Sequence, residues 1–340
     1  MKRKSFIRSS AAFLGAGLLP SISTGKEAVE EISFVSPSYL KKGDLIGITS
    51  PAGYITTKEI QSAINKMLEW GYKVKIGDTI DKRDFTFGGT DLERANDLQK
   101  MLDDPSISAI MCARGGYGSI RIIDKLNWEK FKAKPKWIIG FSDATVIHSH
   151  INTNLKIASI HSKMCNSFLD DWSLAEPLQM ASIESIDRAL KGEKMKYSVV
   201  PNPNNRIGKG EGILVGGNLK TIETLSGSKS EINTEGKILF IEDTGEYMYS
   251  VDRMLWNLKR SGKLNSLKGL VVGGFKIKVD EGDDDFGRTL YDLVYEKVKD
   301  YNFPVCFDFP VGHQKSNFAL KCGVKHKLEV ENNEVTLKES

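Results

Sequence analysis

Two periodicities alternate along the first half of the chain: short apolar runs, and longer stretches whose apolar residues recur every three or four positions. Residues 44–49 read as a strand closed by Ser50-Pro51-Ala52-Gly53. Ile60, Ala63, Ile64, Met67 and Leu68 then share one helical face, with Gly71 as the stop. Residues 72–76 alternate as a second strand, and Leu92, Ala95, Leu98, Met101 and Leu102 mark a second helix that Asp103-Asp104-Pro105 ends. Residues 109–113 form a buried strand broken by Arg114-Gly115-Gly116-Tyr117-Gly118-Ser119. Another apolar run ends at Gly140-Phe141-Ser142-Asp143 and turns into a helix. Strands and helices alternating at this spacing predict an α/β domain with a mostly parallel, flavodoxin-like sheet, and ligands bind at the carboxyl ends of such strands. The glycine-rich loop and Ser142 both fall at such ends.

Between residues 191 and 211 the pattern lapses into Gly, Lys, Pro and Asn, and an interdomain linker is expected there. Beyond it come strands at residues 237–241 and 270–275, one helix near 250–260 carrying Met254, Leu255 and Leu258, and a turn-rich end. The expected organisation is therefore an N-terminal α/β domain over 33–190, the linker, and a β-rich C-terminal domain with few helices over 212–340.

Residues 1–23 carry Lys2, Arg3, Lys4 and Arg8, no acid, and the apolar run Ala11 to Leu19, followed by small residues at Ser21 and Ser23. This is the layout of an export signal, and Arg3-Lys4-Ser5-Phe6-Ile7-Arg8 resembles a twin-arginine signal with lysine in the second place. A periplasmic destination follows, with the cytoplasm as the alternative. The apolar run is too short to span a bilayer and no cysteine follows it, so no stable membrane anchor is expected.

The chain has 340 residues, 40% of them apolar, enough for a large core in two domains. Of 48 basic residues, the four in the leader set aside leave 44 against 44 acidic ones. A neutral body with no basic run offers nothing to hold nucleic acid. Cys112, Cys165, Cys306 and Cys322 lack C-x-x-C spacing and are expected to be free, buried thiols. Metal chemistry is not expected: His148 and His150 point to different helix faces, His161 and His326 have no companion spacing, and residues 280–285 lack the EF-hand ligand pattern.

Candidate chemistry lies in three places. The loop from Arg114 to Gly118 matches neither phosphate-binding glycine pattern, and backbone N–H groups there suit an oxyanion better than a nucleotide. No cofactor is implied. Taken alone, Ser142 or Asp143 reads as the cap of the next helix. Glu242 ends a buried strand and His313 follows an apolar segment near the C-terminus. Together they supply a nucleophile, an acid and a base in the order Ser, Glu, His.

Gly89-Thr90-Asp91, Cys112-Ala113-Arg114-Gly115-Gly116-Tyr117-Gly118-Ser119, Gly140-Phe141-Ser142-Asp143, Gly216-Gly217-Asn218-Leu219, Phe240-Ile241-Glu242-Asp243 and Gly312-His313 resemble, in order and spacing, the motifs of the LD-carboxypeptidase family of serine peptidases. The best-known members are muramoyltetrapeptide carboxypeptidases. The resemblance implies a Ser142, His313, Glu242 triad, a homodimer, and a murein peptide substrate cleaved at an L,D-peptide bond. Backbone groups of Gly115, Gly116 and Asp143 would bind the oxyanion. Arg114 is a candidate for the substrate carboxylate or a buttress of its loop. A carboxypeptidase of aminoacyl-nucleotide antibiotics, or a non-catalytic murein-peptide binder, are the alternatives. The chain departs from its relatives in carrying an export signal, and in reading His161-Ser162-Lys163-Met164 where they commonly have His-Gly-Pro-Met.

Overall fold

Parallel neighbours need a connection long enough to hold a helix, and the first half of the chain repeatedly provides one. The computed structural model describes residues 34–279 and 286–340. In it β1 (Leu45–Thr49), β2 (Lys73–Ile76), β3 (Ile107–Cys112), β4 (Trp137–Gly140) and β5 (Ser159–His161) form a parallel sheet in the order β2-β1-β3-β4-β5. This is the flavodoxin-like order. Helices α1 (Thr57–Glu69), α2 (Asp91–Asp103), α3 (Glu129–Ala133) and α4 (Thr145–His150) supply the crossovers.

The alternation of side chains along the strands divides the core. Ala109, Met111, Ile139 and Ile160 pack on one face with Ile60, Ala63 and Met67 of α1. Ile110, Cys112 and Ile138 pack on the other with Leu98, Met101 and Leu102 of α2 and Ile147 of α4. Strands covered on both faces read as unbroken apolar runs, which is why these were easy to find.

The chain then crosses between sheets. After α5 (Pro177–Leu190), β6 (Lys196–Val199), β7 (Gly208–Asn218), β8 (Ile238–Tyr247), β9 (Gly269–Lys278), β10 (Val305–Cys306), β12 (Lys325–Val330) and β13 (Val335–Glu339) build a second sheet ordered β10-β9-β8-β7-β12-β13-β6. The intervening β11 (Leu320–Cys322) instead pairs antiparallel with β5 and closes the edge of the first sheet. The described residues accordingly lie in one compact unit.

Two expectations need correction. The stretch 191–211 is not a free linker: it holds β6, paired antiparallel with β13, and the start of β7. Tyr197 is buried there among polar neighbours that hide a four-residue edge strand from its pattern. The second half also has more helix than expected, because β7 to β10 are parallel and α6 (Leu219–Thr224), α7 (Met248–Arg260) and α8 (Leu290–Val298) connect them. Six residues of α6 are too few to show a helical period.

The export segment read at 1–23 and the acidic run 280–285 lie outside the described residues. Among the described residues no helix is long and apolar enough to cross a membrane. All four cysteines are buried and free.

Thr90, within one of the recurring motifs, is a helix cap. Its Oγ1 accepts the Glu93 N–H at 3.3 Å, and the Glu93 carboxylate returns to the Thr90 N–H at 2.9 Å. Thr90→Ala is expected to lower unfolding stability by about 1 kcal/mol, read by urea titration; an unchanged midpoint would contradict the capping role.

Candidate active site

Ser142 follows β4 with φ +60, a left-handed conformation that few residues other than glycine adopt. A strand-to-helix turn of this shape lifts the hydroxyl out of the sheet. The turn is fastened from behind: the Gly140 carbonyl accepts from His148 Nε2 at 2.9 Å and from the Ser162 N–H at 3.1 Å. Burial pushes the His148 pKa down to about 4. The ring is therefore neutral at pH 7 and acts as a fixed donor.

The glycine loop lies directly beside the serine. A Cβ on Gly115 would stand 3.1 Å from Ser142 Cβ and 3.2 Å from its Oγ. The Gly115 and Gly116 N–H groups have no acceptor among the described residues. Asp143 joins the two loops, its Oδ2 accepting the Ser119 N–H at 2.8 Å. Burial raises the Asp143 pKa, against the lowering effect of the hydrogen bonds from Ser119 and Gly118. Arg94, fully buried, donates to the Pro51 carbonyl at 2.6 Å and the Gly118 carbonyl at 2.9 Å and pairs with Asp91. One guanidinium thus ties the loops after β1 and β3 to α2.

Glu242 sits on β8 where the pairing with β9 slips by a bulge, a device that re-aims a side chain. It is fully buried, and its Oε2 accepts from His313 Nδ1 at 2.6 Å and from the His313 N–H at 3.2 Å. Gly312 makes this approach possible, with φ +99 and no side chain; a Cβ there would stand 2.4 Å from Glu242 Cβ. The Phe141 ring lies 4.9 Å from the His313 ring, which brings the imidazole to the chain neighbour of Ser142. No hydrogen bond joins Ser142 to His313 in this state, and such bonds often tighten only when substrate binds.

Neighbouring Asn218 and Asp243 complete the wall. Asn218 caps α6, donates to Asp243 Oδ1 at 2.8 Å, and its N–H reaches Thr145 Oγ1 at 3.1 Å. Burial pushes the Asp243 carboxyl up to about 6. A cavity of about 360 Å³ opens beside Ser142 and is walled by Gly116, Tyr117, Asn218, Thr244 and Glu246. Depressions of about 490 Å³ near Lys229 and about 670 Å³ near Tyr197 contain none of Ser142, Glu242 and His313.

Of the residues expected from sequence, Glu242 and His313 meet directly, and Ser142, Asp143, Gly115 and Gly116 share one turn-and-loop assembly. Arg114 is exposed and donates to the Tyr54 carbonyl at 3.0 Å, which is the buttressing role. Arg94, Asn218 and Asp243 had no assigned part in the sequence reading. The Asp91 to Arg94 spacing was the available sign, since opposite charges three apart on a helix meet.

A nucleophile turn, a carboxylate-held imidazole and a loop of free N–H groups define a serine hydrolase site. Models of the LD-carboxypeptidase N-terminal and C-terminal domains match residues 46–162 and 211–328. The chain is 32% identical to the probable murein peptide carboxypeptidase of Bacillus subtilis, over 85% of this chain and 90% of that one. It is 26% identical to the microcin C7 self-immunity protein MccF of Escherichia coli, over 88% and 94%. The solved structure of muramoyltetrapeptide carboxypeptidase from Oxalobacter formigenes superposes with a TM-score of 0.78 at 27% identity, covering 87% of this chain and 98% of that one. This protein belongs to the LD-carboxypeptidase family and is a serine carboxypeptidase.

Gly312→Ala is expected to lower kcat by about 100-fold, the scale of a misplacement near 1 Å. Gly236→Ala, at φ +66 with open space around it, carries the backbone strain alone and should leave kcat unchanged. Equal kinetics in the two variants would contradict the packing argument.

Proposed function

We propose that this protein removes the terminal D-alanine of murein tetrapeptides by cleaving an L,D-peptide bond. The observation that carries the reading is the 2.6 Å bond from His313 Nδ1 to Glu242, in a chain whose Phe141, next to the left-handed Ser142, packs on the His313 ring. With Nδ1–H given to the carboxylate, Nε2 is left to take the Ser142 proton as Oγ attacks the carbonyl of the L-configured residue. The acyl-enzyme then forms as His313 hands that proton to the departing amine, and a water repeats the sequence to release the shortened peptide. The N–H groups of Asp143 and of Gly115 or Gly116 receive the oxyanion, each such donor being worth about 3 kcal/mol in the transition state.

The names of the Bacillus and Oxalobacter relatives support the substrate. Similarity to the microcin immunity protein supports a second reading, hydrolysis of an aminoacyl-nucleotide. An exported, periplasmic enzyme belongs to the proposal on the pattern of residues 1–23, and a homodimer on the family resemblance.

The test is D-alanine release from purified murein tetrapeptide. Glu242→Gln is expected to lower kcat by about 10⁴-fold, the cost of holding the imidazole in the wrong tautomer, and Ser142→Ala to abolish turnover. Full activity in Ser142→Ala would remove the nucleophile. A wild-type enzyme inactive on L,D-peptides but active on an aminoacyl-nucleotide would establish the second reading.

A further inference from the structure

We propose that Lys163 anchors the terminal carboxylate of the substrate, on the His313 side of Ser142. The inference rests on the carboxypeptidase reading above and adds a specificity residue to it. Lys163 stands in the short segment where this chain departs from the usual His-Gly-Pro-Met. The lysine is half-buried, yet among the described residues it forms no salt bridge. Its ammonium donates to the Gln314 carbonyl at 2.6 Å and stands 5.9 Å from the centre of the Phe141 ring. Phe141 and Gln314 are the chain neighbours of Ser142 and His313. A half-buried cation with no carboxylate within salt-bridge distance is costly, and Glu242 acts on it only from farther off. One whose ammonium lies against the chain neighbours of both Ser142 and His313 has a use if the ligand brings the anion.

The chemistry places that anion. His313 must protonate the leaving amine, so the departing D-amino acid lies on the imidazole's side of Ser142. Its carboxylate is two bonds from that amine. The cavity walled by Tyr117, Asn218 and Glu246 does not include Lys163 and is left for the acyl part of the peptide in this arrangement. Arg114, the other candidate, is engaged by Tyr54.

Burial first, and then Lys276 of β9, lower the Lys163 pKa to about 8 against the opposing charge of Glu242 of β8. The ammonium is therefore charged at pH 7 and loses its proton as pH rises through that value. Preference for a carboxylate should fade in the same interval, provided the free enzyme is followed through kcat/KM.

The experiment compares peptides ending in D-alanine with the same peptides ending in D-alaninamide, by kcat/KM and by calorimetric binding to a Ser142→Ala background. The wild type should favour the acid by about 10–100-fold, the range of a charge-assisted hydrogen bond. Lys163→Met and Lys163→Gln should collapse the ratio toward one, and Lys163→Arg should keep part of it. A wild-type ratio near one, or a ratio unchanged in both neutral variants, would overturn the proposal. Because the binding arm needs no turnover, this failure is distinct from failure of the murein substrate, which the D-alanine assay reads.

Discussion

A carboxylate with no exposed surface must be held by donors, and Glu242 Oε2 is held by two from the same residue, the ring and the backbone N–H of His313. That double contact fixes both the position of the loop and the direction of the ring. It also sets what the surroundings can be. Position 312 must lack a side chain, β8 must bulge, and Gly274 must bridge the histidine loop to β9. The serine half of the site has its own fixed point in the left-handed Ser142 turn. The serine turn follows the end of β4 in the first sheet, whereas Glu242, expected from sequence to end its strand, lies at the bulge within β8 of the second.

Contacts between the sheets therefore matter as much as those within them. Asn218 ends β7 and reaches Thr145 at the start of α4, immediately after the serine turn. Lys163 reaches Gln314 beside the histidine. β11 returns from the second half to extend the first sheet. These links draw a hydroxyl from one sheet toward an imidazole from the other without requiring a separate hinge.

The legible parts of the sequence were those where one physical signal dominates. Runs such as Ile138-Ile139 and Met111-Cys112 are buried on both faces and gave away the parallel strands, while the Thr90 and Glu93 pair announced a helix start. Short or two-sided features were not legible. β6 is an edge strand with one buried residue in four, and α6 is too brief for a period. Glu242, His313 and Ser142 could be named from ordered motifs, but motifs carry no distance. Lys163 was visible only as a departure from a pattern, because the burial of an ammonium away from any salt-bridge partner is a property of packing. Arg94 was hidden for the opposite reason: a charge that is fully buried looks the same in sequence as one on a solvated face.

The central claim is that Ser142 is made nucleophilic by an imidazole that Glu242 holds. Labelling with a fluorophosphonate, followed by mass spectrometry of the intact protein and its peptides, reads this without any choice of substrate. One adduct on Ser142 is expected, forming far more slowly in His313→Ala and in Glu242→Gln. Labelling of a different residue, or of Ser142 at the same rate in all three proteins, would contradict it.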